Sequence, residues 1–308
     1  MKTICFLNNK GGVGKSVSVI TIAHMMASRG LKVLLVDIDP QGNSSNLFSE
    51  IDSMTLLKNR LLKLPEPNIM SVGNLFVEKD VDIHECIKKT DYENLDIIPS
   101  LLTLSEIEEQ LKADIKTPQQ FRLKRHFSVI KDEYDYCLID CSPSINILNI
   151  NALVASDSVY VPILCEAWSA IGMTTIKNLV ELVQDYNEGL VFEGYFFTQW
   201  SRNRNVNIAV YNMLAEYAYD LMIPLTIARS KLAQEMTLYQ APIMDLDKNA
   251  REHITRDYLK LMEYIISNHK KELKAQYKKE LDESIKEVLI KRAERQSKLE
   301  RVENNHGI

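Results

Sequence analysis

The sequence predicts a doubly wound α/β fold, a mostly parallel sheet flanked by helices, with a helical extension at the C-terminus. Three observations predict it. Continuously apolar runs such as residues 33–36 are typical of strands that are covered on both faces. Longer amphipathic stretches alternate with these runs along most of the chain. A glycine-rich segment directly after the first run is typical of a phosphate-binding loop (P-loop).

The predicted strands are short apolar runs separated by helices. They cover Thr3–Leu7, Lys32–Ile38, Leu95–Pro99, Tyr136–Ile139, Ser158–Leu164 and Gly194–Thr198. Amphipathic helices are predicted between them, for example over Lys15–Arg29 and Met173–Tyr186. In this architecture ligands bind beyond the carboxyl ends of the strands, so functional residues are expected in the loops that follow strands.

The C-terminal part of the chain differs in composition. The segment from His269 to Glu303 contains neither Gly nor Pro, is rich in Lys and Glu, and carries apolar residues every three or four positions from Leu273 to Leu289. We therefore predict a main domain over 1–266 and a charged amphipathic helical tail over 267–308. Three roles of the tail stay open: a solvated or self-packing helix, a helix that pairs with a partner, or a membrane-surface helix.

The composition excludes several classes of protein. The 308 residues include 37 Lys and Arg against 42 Asp and Glu, so bulk charge does not drive binding to nucleic acid. Since no apolar run approaches the roughly 20 residues of a membrane span, we expect no membrane partner and a cytoplasmic location. Five scattered cysteines and six histidines show neither CxxC nor HExxH spacing. They predict buried, reduced thiols rather than a zinc site.

The strongest motif is the segment Lys10–Ser16, which reads KGGVGKS and lies between a predicted strand and a predicted helix. Its glycines allow backbone N–H groups to converge on a phosphate at the helix N-terminus. Lys15 is expected to reach the β- and γ-phosphate oxygens and Ser16 to bind Mg²⁺. The ordinary pattern has glycine at the position of Asn9, and a second lysine, Lys10, stands beside the glycines. The predicted nucleotide-binding residues are Lys10, Gly11, Gly12, Val13, Gly14, Lys15, Ser16 and Val17, with Thr198 and Arg229 as positional candidates for the adenine.

Carboxylates follow two of the predicted strands. Asp37 and Asp39 stand where the second strand ends, and Asp140 follows the apolar run Cys137–Ile139 as in a Walker B strand. We expect Asp39 to orient a water molecule against the γ-phosphate. Asp37 and Asp140 are expected near the metal, with Asp140 holding Mg²⁺ through its water shell. The predicted metal site is therefore Ser16, Asp37 and Asp140, and the predicted catalytic residues are Lys10, Lys15 and Asp39.

These segments resemble the deviant-Walker ATPases, most closely the plasmid and chromosome partition ATPases of the ParA family. The family loop KGGxGK[ST] matches Lys10–Ser16, and the family box DxDPQGN matches Asp37–Asn43. The family Walker B box DxPPS matches Asp140–Ser144, except that Ser142 replaces the first proline. Further similar stretches are Asn151–Leu153, Ala155–Val159, Cys165–Glu166 with Gly172, and Ile227–Ile243. The resemblance is to the small form of the family, which has no N-terminal helix-turn-helix.

The resemblance implies a switch driven by ATP and Mg²⁺. Two subunits would face each other across the nucleotides, and Lys10 would contact the partner's phosphates. Such a contact in trans is worth about 10³–10⁵ in rate. In the family, the ATP-bound homodimer binds double-stranded DNA without sequence preference, and a centromere-binding, ParB-like adaptor protein stimulates a weak hydrolysis that releases it. The resemblance thus implies a DNA partition ATPase of the cytoplasm, associated with the nucleoid.

The candidates for DNA binding are basic residues in segments where family members carry basic residues. For each of them a solvated surface charge is the alternative. The main candidates are Arg202, Arg204, Arg229 and Lys231, and the weaker ones are Arg251, Arg256, Arg122, Lys124 and Arg125.

Three other functions stay open at this point. A membrane- or cargo-positioning ATPase of the cell-division-site type would need a short terminal helix with an aromatic or leucine-rich face, which the Lys/Glu-rich tail does not resemble. A nitrogenase-type reductase would need cysteines that bind an iron–sulfur cluster, and Cys137 and Cys141 flank a turn instead. A metabolic ligase would need a pocket for a carboxylate substrate.

Overall fold

A computed structural model describes residues 1–51, 53–64, 69–78, 80–114, 118–166, 169–201 and 204–305. At its centre is a sheet of eight strands in the order β3-β4-β2-β5-β1-β6-β7-β8. The strands are β1 Lys2–Phe6, β2 Val33–Asp37, β3 Lys88–Lys89, β4 Leu95–Ile98, β5 Tyr136–Asp140, β6 Ser158–Leu164, β7 Val191–Trp200 and β8 Met222–Ala228. Neighbouring strands are parallel except β3 and β4, which confirms the predicted mostly parallel sheet.

Helices cover both faces of the sheet, as the apolar strand runs predict. They are α1 Lys15–Ala27, α2 Asn43–Phe48, α3 Ser53–Leu61, α4 Val72–Val77, α5 Ile83–Cys86, α6 Leu104–Ala113, α7 Arg122–Phe127, α8 Ile147–Ala155, α9 Ser169–Gln184, α10 Asn205–Ala218, α11 Leu232–Tyr239, α12 Ile243–Leu246, α13 His253–Ile266 and α14 Lys270–Asn305. Successive residues of β1 enter opposite cores: Cys5 packs in one apolar cluster, and Ile4 and Phe6 pack in the other. Burial on both faces explains why these strands show no polar alternation.

The main difference from the predicted strands is the edge strand β8, which the sequence did not predict. Pro224 interrupts its apolar run, and a proline argues against a central strand because it cannot donate to the ladder. β8 lies at the edge of the sheet, where one side of the strand has no neighbouring strand to form hydrogen bonds with. β7 also begins before the predicted Gly194, whose φ is 136° and whose added Cβ would lie 2.8 Å from the Leu221 carbonyl oxygen.

The predicted C-terminal helix is present as α14, and its first half packs on the main domain. Tyr277 and Ile285 are buried, whereas Leu289 and Ile290 are about half exposed. Among the side chains that the structure describes, up to residue 297, the buried seam ends near residue 288, and the self-packing alternative holds for the first half of the helix. The boundary between residues 266 and 267 stays a prediction.

The five cysteines are all free and buried, as predicted. Within the described ranges, no helix is both long enough and apolar enough to cross a bilayer.

Candidate nucleotide-binding site

The sheet brings the predicted site residues together at one edge. Asp140, the last residue of β5, pairs in register with Phe6 of β1 on one side and with Asp37 of β2 on the other. Since all three strands are parallel, the loops that follow them meet in one crevice. Three motifs that are far apart in sequence thereby share one site.

The P-loop owes its shape to glycines in left-handed backbone conformations. Gly12 has a φ of 71° and Gly14 a φ of 82°, which a side chain would strain. α1 begins directly after Gly14, so its unpaired N–H groups point toward the loop. This is the geometry that binds phosphate groups at a helix N-terminus.

The two lysines of the loop have different surroundings. Lys15 is 6% exposed, and its Nζ donates to the carbonyl oxygen of Lys10 at 2.9 Å. Burial lowers the pKa of Lys15, against the opposing effect of Asp140. The side chain of Lys10 is 41% exposed and pairs with Glu166, Nζ to Oε2, at 3.2 Å. Lys15 is thus an internal cation of the loop, and Lys10 points to its rim.

Two side chains at the end of β7 hold the loop from outside. The Thr198 hydroxyl donates to the Val13 carbonyl at 2.7 Å, and Gln199 Nε2 donates to the Gly12 carbonyl at 2.7 Å. Gln199 has a φ of 51°, a left-handed conformation that is uncommon for a residue with a side chain. Sequence reasoning missed Gln199, because nothing in its local pattern indicates that it reaches a loop 187 residues away.

Asp140 lies beneath the loop and is fully buried. Its oxygens accept from the hydroxyl of Ser16 at 3.2 Å and from the hydroxyl of Ser44 at 2.7 Å. Burial raises the pKa of Asp140 to about 6, and the two hydroxyl donors oppose the shift. Asp140 therefore reaches the cleft through Ser16, which lines it.

Asp37 is bound by donors of its own loop. It accepts from the backbone N–H and the hydroxyl of Ser45 at 2.9 and 2.7 Å and from the backbone N–H of Asp39 at 3.0 Å. Burial, followed by the charge of Asp140, raises the pKa of Asp37 to about 8. These contacts give Asp37 a structural role that the sequence did not reveal; its role as a metal ligand stays a prediction.

Asp39 stands closer to solvent and lines the cleft. Its Oδ1 accepts from the backbone N–H of Gln41 at 3.0 Å. Burial raises its pKa, while the Gln41 N–H and the charge of Lys15 lower it. The second oxygen of Asp39 gives the cleft a carboxylate acceptor near Lys15.

The cleft has a volume of about 680 Å³ and extends from the P-loop to α11. The P-loop side is lined by Gly11, Gly12, Gly14, Lys15 and Ser16, with Asp39 also in the lining, and apolar side chains of the lining include Val17, Ile20, Ile227, Met236, Ile254 and Tyr258. Thr198 and Arg229 also line it. A lining that combines P-loop groups with apolar side chains suits a ligand with phosphates and a flat ring. The contact of Thr198 and Arg229 with adenine stays a prediction.

The candidates for DNA binding lie in several places. Arg204, Arg229 and Lys231 are exposed, and Arg202 lies outside the described residues. Arg251, Arg256, Lys124 and Arg125 are exposed as well. Arg122 is different, because its guanidinium binds the Asp114 carboxylate and the Phe76 carbonyl oxygen and its side chain is 11% exposed. We therefore correct the assignment of Arg122 to a structural residue.

The residues present fit Mg²⁺ together with a nucleotide. Asp37 and Asp140 are two fully buried carboxylates on neighbouring strands, and a divalent cation nearby would offset their mutual repulsion. No set of three or more His, Cys, Asp or Glu in the described ranges could hold a metal by itself. Mg²⁺ would thus need Ser16 and phosphate oxygens as ligands, which is its usual mode with nucleotides.

Comparison with known proteins indicates the same family as the sequence motifs. Residues 1–192 match the family model described as an AAA domain. The sporulation initiation inhibitor protein Soj of Bacillus subtilis is 34% identical over 268 residues, which cover 87% of this chain and 99% of that protein. The chromosome-partitioning ATPase Soj of Treponema pallidum is 32% identical over 267 residues, which cover 83% of this chain and 98% of that protein.

A solved structure supports the fold. The ATP complex of a McdA variant from Cyanothece superposes with a TM-score of 0.72 at 19% identity and covers 86% of this chain and 96% of that one. The P-loop geometry, the segment Asp37–Asn43 at the end of β2 and the similarity to the two Soj proteins all indicate the same family. The chain therefore belongs to the Soj/ParA family of chromosome-partitioning ATPases.

Proposed function

We propose that the chain is an ATP-driven partition switch that dimerises on ATP, binds DNA without sequence preference, and is released when a centromere-binding adaptor protein stimulates hydrolysis. The observation that carries this proposal is the separation of the two P-loop lysines. Lys15 is buried inside its own loop, and Lys10 extends to the rim. A cation at the rim is available to a second subunit.

The weakness of the ion pair that holds Lys10 supports the proposal. Its partner Glu166 is itself 53% exposed, and exposed ion pairs of this kind contribute about 0–1 kcal/mol. Lys10 can thus exchange Glu166 for a triphosphate at little cost. A partner subunit's γ-phosphate, which carries more charge than one carboxylate, would compete well for this ammonium group.

Hydrolysis would use the residues on the cleft floor. Lys15 would leave the Lys10 carbonyl and bind the β- and γ-phosphate oxygens, and Asp39 would orient the attacking water through its second oxygen. Ser16 and Asp140 would hold Mg²⁺, which supplies charge neutralisation on the phosphates when it is bound. We expect slow turnover in the isolated subunit, because Lys10 completes the site only in the dimer.

DNA binding would use exposed basic residues around the dimer rather than bulk charge, since the net charge is -5. Arg204, Arg229 and Lys231 are the described candidates. Binding to phosphates releases counterions, so the affinity should fall steeply with salt.

The test is sedimentation velocity with ATP or ADP, with and without nonspecific duplex DNA. The wild type should dimerise with ATP only, and Lys10→Ala should stay monomeric while still binding ATP. Asp39→Ala should stay dimeric with ATP because it does not hydrolyse it. Lys177→Ala serves as the matched control, since Lys177 is an exposed lysine that pairs with Glu181 on α9.

Two results would contradict the proposal. One is a wild type whose mass does not depend on the nucleotide. The other is a Lys10→Ala variant that dimerises as well as Lys177→Ala.

A further inference from the structure

We propose that the C-terminal helix α14 extends the DNA-binding surface, with Lys291 and Arg295 contacting phosphates beside the Arg204 segment. The inference rests on the proposed function, which supplies the DNA. It assigns a role to a part of the chain that the sequence left with three open roles. The observation behind it is a contact between α14 and the first residue of α10.

The start of α14 is fixed firmly to the sheet. Lys270 binds the carboxylate of Glu193, donates to the Tyr160 hydroxyl at 2.9 Å, and lies 5.5 Å from the ring centre of Tyr264. One turn and two turns later, Lys274 and Lys278 lie over the ring of Tyr219, at 5.2 and 4.3 Å from its centre. Cation–π contacts of this kind are attractive and help to hold the first turns of α14 on the domain.

The middle of α14 is fixed by its apolar seam. Tyr277 is buried in one apolar cluster and Ile285 in the other, against which Leu281 and Val288 also pack. The Tyr211 hydroxyl of α10 lies 3.2 Å from Asp282 Oδ1. α14 therefore contacts α10 at Tyr211, and the contacts of its first half orient its later residues.

The last contact of this series reaches the candidate DNA-binding segment. Arg292 donates from Nη1 to the Asn205 side-chain oxygen. Asn205 begins α10 and directly follows Arg204, the exposed residue at its N-cap. The C-terminal third of α14 therefore begins beside a segment already expected to contact phosphates.

Two basic side chains stand on one flank of α14 at this point. Lys291 and Arg295 are four residues apart and exposed, so both project from the same side of the helix. Glu287 and Glu294 are seven residues apart and lie nearer the side that faces away from Ile285. Lys291 thus lies between Glu287, one turn before it, and Arg295, one turn after it, and Arg295 is turned further from the two acids than Lys291 is.

Two acids lie within reach of Lys291 on the helix surface, Glu287 four residues before it and Glu294 three residues after it. Glu287 precedes Lys291 by one turn and can pair with it in the absence of DNA. Such exposed pairs are weak and are screened by salt, so a row of phosphates can replace Glu287. The expected contribution of the two residues is therefore up to two phosphate contacts.

The experiment compares two double variants of the full chain. In Lys291→Ala/Arg295→Ala the proposed cations are removed. In the matched control, Lys279→Ala/Lys286→Ala, two exposed lysines are removed from the other flank of the same helix, with the same change in charge. Binding of a nonspecific DNA duplex in the presence of ATP is followed by fluorescence anisotropy across a salt series, and thermal unfolding confirms that each variant is folded.

We expect the slope of log K against log salt to become shallower by about 1.8 in Lys291→Ala/Arg295→Ala, at about 0.9 for each phosphate contact, and to stay unchanged in the control. At about 0.1 M salt this corresponds to a loss of affinity of more than tenfold. A wild-type slope in Lys291→Ala/Arg295→Ala, or an equal change in both variants, would overturn the inference alone. A wild type that does not bind DNA with ATP would overturn the proposed function and the inference with it.

Discussion

The P-loop and the C-terminal helix are held in place in different ways. The P-loop is shaped mainly by its own residues, through Gly12 and Gly14 in left-handed conformations and the Lys15 side-chain bond to the Lys10 carbonyl, and Thr198 and Gln199 hold it from outside. α14 is held by side chains spread over its first half, from Lys270 to Ile285. A structure made by the backbone of seven residues leaves a readable motif in the sequence. A structure made by long-range side-chain contacts leaves only a periodic apolar seam.

The strongest test of this comparison between the P-loop and α14 removes Lys15, the internal cation of the P-loop. Lys15→Ala should lower ATP turnover by at least about 10²-fold, because one preorganised charge at a phosphoryl group is worth about that much. The measurement is phosphate release under saturating ATP, with ATP binding followed by a fluorescent analogue. Lys177→Ala, which removes an exposed lysine, should keep the wild-type rate, and a Lys15→Ala variant with the same rate would place the phosphate site elsewhere.

A smaller effect is expected from the seam of α14. Ile285 is 8% exposed and Ile290 is 49% exposed, so the same substitution on one helix separates packing from helix propensity. Ile285→Ala should lower the free energy of unfolding by about 2 kcal/mol, and Ile290→Ala by about 0.5 kcal/mol or less. Denaturant unfolding measures both. Equal effects would mean that α14 is not packed on the domain as described.

The smallest effect concerns α1, the helix that follows the P-loop. Burial lowers the pKa of His24, although the charge of Asp245 opposes this. The unfolded chain therefore binds more protons than the folded one, and the free energy of unfolding should fall as the pH drops below about 6.5. His24→Phe should reduce this loss at acid pH, as measured by thermal unfolding at two pH values.

A second histidine, His84, provides a control for the direction of the pH effect on stability. Hydrogen bonds that Glu133 and Asp82 accept from its ring raise the pKa of the exposed His84. Its contribution to stability is present at low pH and is lost as the pH rises, so His84→Ala should increase the loss of stability at acid pH. The two variants must change the pH dependence in opposite directions, and a change in the same direction would contradict the assigned environments.

The sequence predicted most of the sheet because the central strands are buried on both faces. Polar and apolar residues do not alternate in the run 33–36 because helices cover both faces of the strand, and the continuous apolar run identified it as a buried strand. β8 was missed because Pro224 interrupts its apolar run, although a proline does not exclude a strand, since Pro162 lies inside the interior strand β6. Gly194 was placed at the start of a strand, although it lies inside β7 opposite the Leu221 carbonyl.

The predictable part of the site is the part that motifs encode. Lys15, Ser16, Asp39 and Asp140 come together as expected, since parallel strands place the following loops at one edge. Gln199 could not be predicted, because its role depends on a bond to Gly12 across the sheet. The three hydrogen bonds that Asp37 accepts were not predicted either, since the path of the loop after β2 determines them.

The strap formed by Thr198 and Gln199 has a consequence for communication within the molecule. Arg204 follows Gln199 by only five residues, so the segment expected to meet DNA is tied by a short length of chain to the carbonyls of Gly12 and Val13. If Arg204 contacts DNA as proposed, that contact would lie only five residues along the chain from a side chain that holds the P-loop, so the two proposed binding events would share one stretch of backbone.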